Sequence, residues 1–108
     1  MKKTASLFSI LLLAAGVAVA ANEKAGDVEK GKETFEQCGA CHNVDSPDKK
    51  MGPSLQGLYK KEKLKNGKAV TDASVKAIIN QGGNGMPAYA DLLTDEERAD
   101  VLAYLKTI

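Results

Sequence analysis

Both cysteines and the only histidine of this 108-residue chain fall within five consecutive positions, Cys38-Gly39-Ala40-Cys41-His42. The spacing Cys-x-x-Cys-His is the attachment signature of c-type haem. On a helical turn the two thiols reach the two vinyl groups of one porphyrin and form thioethers. The next imidazole then faces the iron as its proximal axial ligand. Competing uses of the same residues fit less well. A thiol–disulfide redox motif wants a strand–helix–strand setting, and no strand-rich region surrounds this one. A zinc site needs four ligands, and two cysteines with one histidine fall short. A structural disulfide gives no reason for the adjacent histidine.

The chain around this motif divides in two. Lys2 and Lys3 precede an apolar run from Leu7 to Val19, and Ala18-Val19-Ala20 supplies a small-x-small cleavage site. Residues 1–20 therefore read as a secretory signal peptide cut after Ala20; the run is too short to span a bilayer comfortably, and an uncleaved anchor is the minority reading. Residues 21–108 form one domain of 88 residues. So small a domain buries limited apolar surface and usually needs a staple. A covalently held haem would serve as staple and core together, which suits a chain with no Trp.

Without Lys2 and Lys3 the net charge changes from +1 to −1, with 13 basic against 14 acidic residues. The charges are segregated. Residues 21–48 carry 3 Lys against 7 acidic residues, and residues 49–76 carry 8 Lys against 2. Such a dipole could steer docking, although a lysine run is equally what a solvated face looks like. An exported domain that is not basic overall is a poor candidate for nucleic-acid binding.

In chain order, Asp27 can cap a first helix with Glu29 in its first turn. Val28, Gly31, Phe35 and Cys38 line one face of it, so the helix delivers the cysteines from its C-terminal end. Gly31 costs the helix on the order of 1 kcal/mol relative to Ala, and close approach of another helix would explain it. Ser46-Pro47-Asp48 reads as a turn, and the glycines and proline of Met51–Tyr59 preclude a long helix there. Leu55, Leu58 and Tyr59 are core candidates. Lys60–Lys68 is strongly basic and ends at an Asn66-Gly67 turn. Thr71 or Asp72 caps a second helix with Val75, Ile78 and Ile79 inward, and Gly82 ends it. Gln81–Pro87 reads as a flexible loop; it follows a helix and lacks the Lys-Ser/Thr ending of a phosphate-binding loop. Thr94 and Glu97 form a capping box for a last helix whose stripe is Val101, Leu102, Leu105 and Ile108, with Tyr104 at its edge. No segment alternates like a strand. The expectation is all-α: three main helices with long loops organised by a cofactor.

A single histidine excludes bis-histidine ligation within one chain. Met51, Met86, a lysine or no protein ligand remain for the sixth position once Met1 leaves with the signal peptide. The three motifs Cys38–His42, Gly52–Leu58 and Gly85-Met86-Pro87, in this order, resemble class I cytochrome c. Gly31 and Phe35 on the first helix, with Val101 and Tyr104 on the last, are similar to that family's helix-crossing pair. The resemblance covers essentially all of residues 21–108. It implies the cytochrome c fold around one covalent haem c, with Cys38 and Cys41 attaching it and His42 as proximal ligand. It further implies Met86 as the distal ligand, Met51 as a surface or packing residue, and the Pro53 carbonyl as acceptor for the His42 ring nitrogen away from iron. Tyr59 is a candidate for bonding a haem propionate, with core packing as the other role open to it.

His/Met ligation raises the reduction potential and fills both axial positions. The implied function is a periplasmic, monomeric electron carrier, not an enzyme. It would dock transiently with a reductase and then with an oxidase or photosynthetic reaction centre. The alternative is a haem-based gas or redox sensor, or a redox-enzyme partner domain, whose sixth ligand leaves easily, motivated by the glycine-rich loop that carries Met86.

Overall fold

A computed structural model describes residues 26–108. The apolar run and the cleavage site expected after Ala20 lie outside the described residues. Within them stand three α-helices, α1 (Val28–Phe35), α2 (Asp72–Gln81) and α3 (Asp95–Leu105), with a 3-10 turn at Leu58–Lys60. Among the described residues no strand forms, only isolated bridges at Lys63–Ala69 and Gly83–Met86. The architecture is all-α, as expected. No helix among the described residues is long and apolar enough to cross a membrane.

The crossing of α1 and α3 is the centre of the molecule. Gly31 is buried there, and a Cβ on it would overlap the main-chain carbonyl of Asp100. The helices therefore meet backbone to backbone, which only glycine allows. Asp27 caps α1 by accepting the Lys30 N–H at 3.0 Å. Its own N–H donates to Asp100 Oδ1 at 2.7 Å, so a buried carboxylate of α3 ties down the start of α1. Phe35 and Tyr104 close the other end, their rings tilted by 54° with centroids 5.3 Å apart.

Around this crossing pack Leu58, Val75, Ile79, Leu93, Val101, Leu102 and Leu105. Each such side chain contributes about 1.5–3 kcal/mol on full burial. Three positions differ from the sequence expectation, the first being Ile78, which is half-buried and outside the core cluster. Val28 is 39% exposed, while Asp27 and Gly31 on either side of it touch α3. Ile108 lies beyond the end of α3 and is half-buried.

The helix ends follow their local chemistry. Thr71, not Asp72, caps α2, in a reciprocal capping box with Ser74. Thr94 and Glu97 form the box that opens α3, and its positively polarised first turn carries Asp95, Glu96 and Glu97 itself.

Candidate haem site

Beyond Phe35 the chain keeps turning at helical pitch. The N–H groups of Cys38 and Gly39 donate to Phe35, and those of Cys41 and His42 to Cys38, at 2.7–3.1 Å. This coil sets two half-buried thiols and the imidazole on consecutive turns. Burial, and then the neighbouring Cys41, pushes the Cys38 thiol up from its ordinary pKa.

A proximal strap, residues 52–55, lies along this coil. The Gly52 N–H donates to the Cys41 carbonyl and the Leu55 N–H to the Asn43 carbonyl, both at 2.8 Å. A Cβ on Gly52 would stand 2.5 Å from His42 Cε1, so the imidazole rests on bare backbone. The Pro53 carbonyl oxygen lies 2.7 Å from His42 Nδ1. A carbonyl only accepts, so Nδ1 carries the proton and Nε2 presents its lone pair.

The loop carrying Met86 is not the flexible glycine run that the sequence suggested. Gly83 and Met86 exchange both main-chain hydrogen bonds, at 2.9 and 3.0 Å. Between them Asn84 and Gly85 have φ of 55° and 92°. Positive φ at both central positions is the signature of a type I′ hairpin turn, which Asn-Gly favours. Beyond Met86, the Tyr89 N–H returns to the Ile79 carbonyl of α2 at 2.9 Å. Buried Arg98 of α3 then donates to the carbonyls of Ala90 at 3.1 Å and Leu93 at 2.6 Å, with a longer contact to Tyr89 at 3.5 Å, and pairs with Asp95.

Tyr89 packs against the core, and burial, followed by the charges of Cys38 and Cys41, pushes its phenol up.

Tyr59 packs against the core, one of the two roles open to it. Its O–H donates to Asp72 Oδ1 at 2.8 Å, while Lys106 donates to Asp72 Oδ2 at 3.1 Å. These contacts latch α2 to the 3-10 turn. Burial and the Asp72 hydrogen bond hold the Tyr59 phenol well above the usual range.

Residues 26–105 match the family described as cytochrome C oxidase, cbb3-type, subunit III. A cytochrome c6 of Diacronema lutheri is 37% identical over 82 residues, covering 74% of this chain and 94% of that relative. One of Thermostichus vulcanus is 31% identical over 110 residues, covering 97% and 91%. The solved cytochrome c6 of the diatom Phaeodactylum tricornutum superposes with a TM-score of 0.59 at 33% identity, over 76% of this chain and 93% of that one. The chain belongs to the class I c-type cytochromes. Its cofactor is one covalently bound haem c, and it is an electron-transfer protein, not an enzyme.

The residues present fit that group. Two thiols and a histidine with a free Nε2 lie on one coil, and glycine backbone leaves room for the ring. Sequence reasoning missed Arg98 and Asp100, whose charged side chains look like ordinary helix surface until their partners are seen. It also missed the hairpin, although Asn84-Gly85 is a strong turn signal.

Proposed function

We propose that this cytochrome is an exported carrier of single electrons. Cys38 and Cys41 would hold the haem through thioethers, and His42 Nε2 and the Met86 sulfur would ligate its iron. When bound, the haem supplies a one-electron Fe(III)/Fe(II) couple. The protein's own residues orient and shield it. The observation that carries the reading is the His42–Pro53 contact of 2.7 Å, which fixes the ring's tautomer beside the two thiols. Such a second-shell acceptor also raises the basicity of the ligand. Met86 brings a soft sulfur that favours the reduced state and raises the potential.

The reading extends to processing and traffic. The signal peptide is removed after Ala20, and the mature protein works in the periplasm. There it docks weakly with an upstream reductase and a downstream oxidase or reaction centre. Amino-terminal sequencing of the exported protein checks the first point, with Ala21 expected as the first residue.

The sensor alternative drew its motive from a flexible Met86 loop. The hairpin hydrogen bonds and the Arg98 contacts on the following segment remove that motive and support the carrier.

Met86→Ala tests the ligand assignment. Haem should stay attached, the sixth position should open, and the potential should fall by on the order of 0.2 V, part of the ~0.8 V range that axial ligation spans. A parent-like optical spectrum would contradict the assignment.

A further inference from the structure

Asparagine followed by glycine occurs twice among residues 26–108, at Asn66-Gly67 and Asn84-Gly85, and both pairs are exposed. Their surroundings differ. The Gly67 N–H donates to the Leu64 carbonyl, and the Asn66 side-chain oxygen accepts the Lys68 N–H, each at 2.9 Å. Nitrogen and side chain are therefore both engaged at the first pair. At the second, neither the Asn84 amide nor the Gly85 N–H has a hydrogen-bond partner among the described residues. A Cβ on Gly85 would meet nothing within 4 Å, so the space around it is open.

Backbone conformation separates the pairs further. Asn84 is the one non-glycine residue with positive φ among the described residues, at 55°. An imide ring closed between an asparagine side chain and the next nitrogen holds that asparagine's ψ near about −120°, as at the first central position of a type II′ turn. The same position needs positive φ, which Asn84 already has and Asn66 lacks. Turning over the single peptide between Asn84 and Gly85 converts type I′ into type II′. Both are two-residue hairpin turns, so the Gly83–Met86 hydrogen bonds stay in place.

We infer that Asn84-Gly85 is a self-modification site, a deamidation that loosens the hairpin carrying Met86. The Gly85 nitrogen attacks the Asn84 side-chain carbonyl carbon. A C–N bond forms there, the bond from that carbon to Nδ2 breaks, and the Gly85 amide proton leaves with the nitrogen as ammonia. Water then opens the imide at one of its two carbonyls. Opening at the side-chain carbonyl leaves aspartate at position 84. Opening at the main-chain carbonyl leaves isoaspartate, which carries one more methylene in the main chain. No electron is gained or lost. Either product places a carboxylate two residues before Met86, and isoaspartate also spoils the two-residue length that sets the hairpin register. The consequence at iron rests on the proposed Met86 ligation: negative charge favours the ferric state, and a slackened hairpin releases the sulfur more readily.

The test ages the haem-loaded protein in warm, mildly alkaline buffer, folded and in parallel in concentrated urea. Tandem mass spectrometry of proteolytic peptides follows conversion at both asparagines. In the folded protein Asn84 should convert several-fold faster than Asn66, and in urea, where both pairs are free, the two rates should converge. Equal rates in the folded protein, or the reverse order, overturn the inference. Asn84→Gly keeps a dipeptide that suits the I′ turn and cannot close the ring. Aged parent should show a lower reduction potential and faster carbon monoxide uptake in the ferrous form than fresh parent, both growing with the converted fraction. Aged Asn84→Gly should match its fresh form. A converted parent in which neither property moves also overturns the inference. The spectrum of fresh Met86→Ala decides the ligation separately. If it is parent-like, the ligation reading fails and takes the consequence at iron with it, whereas a changed spectrum beside an unconverted Asn84 sinks this inference alone.

Discussion

The proximal strap and the Met86 hairpin are both short, glycine-bearing loops, yet they are held by different means. The strap is fastened by its own main chain to the turn that bears His42, and its hydrogen-bond partners all lie between Cys41 and Leu58. The hairpin closes on itself through one I′ turn, but the segment leading out of it is gripped by a guanidinium from α3. One loop is therefore a local structure. The other depends on a distant residue, and so on the helix crossing. A ligand held by the first kind is lost only by changing its neighbours. A ligand on the second kind can be loosened from across the molecule.

Arg98→Met breaks this comparison most severely. It strips the buried Leu93 carbonyl, and the partly buried one of Ala90, of their donor while roughly preserving volume, and should cost about 3–4 kcal/mol in urea denaturation. If remote bracing holds the hairpin, the same variant in its folded ferrous form should also take up carbon monoxide faster than the parent. Equal uptake would mean that the hairpin holds Met86 unaided.

Gly31→Ala strikes the crossing itself. The added methyl meets the Asp100 carbonyl, and overpacking should cost about 1–3 kcal/mol despite the better helix propensity. A variant that melts like the parent would show that the helices can separate without loss.

These two sites show unevenly what the sequence makes legible. Gly31 stands out because a glycine on the apolar face of a helix asks for a reason, and the reason is a second backbone. The attachment motif, the Thr94–Glu97 box and the fold class are legible for the same cause: their partners lie a few residues away. Arg98 and Asp100 are silent, since a charged residue in a helix usually faces water, and only tertiary structure supplies the buried carbonyls and the N–H that they serve. Asn84-Gly85 was legible as a turn, but the surrounding glycines read as slack. Tyr59 could be placed near the core from its neighbours, whereas its hydroxyl partner, Asp72, depended on how α2 docks.

Gly85→Ala sharpens the comparison on the hairpin side. An L side chain at φ 92° should cost about 1–2 kcal/mol and weaken the Met86 side while leaving the His42–Pro53 contact intact. Nuclear magnetic resonance of the His42 ring proton against that of the Met86 methyl would separate the two effects. A disturbance shared equally by both would contradict the independence of the two loops.

The smallest effect concerns the Tyr59–Asp72–Lys106 latch. The Tyr59 hydrogen bond, with help from Lys106 and against partial burial, holds the Asp72 carboxyl below its ordinary value. A depressed folded-state pKa stabilises the fold above the unfolded value and is lost as pH falls through the folded one. Stability should therefore decline as pH drops below about 4. Tyr59→Phe should flatten that decline by less than about 1 kcal/mol, since the group is largely exposed. An unchanged acid limb in that variant would remove the latch from the account.

The most direct single measurement is the optical spectrum of the haem-loaded protein, oxidised and reduced, with carbon monoxide then added to the reduced form at neutral pH. Low-spin bands in both states and no carbon monoxide shift are predicted, because in the proposed ligation His42 and Met86 fill both axial positions. A high-spin spectrum, or rapid formation of the carbon monoxide adduct, would contradict the account and place the protein among haem sensors with a labile ligand.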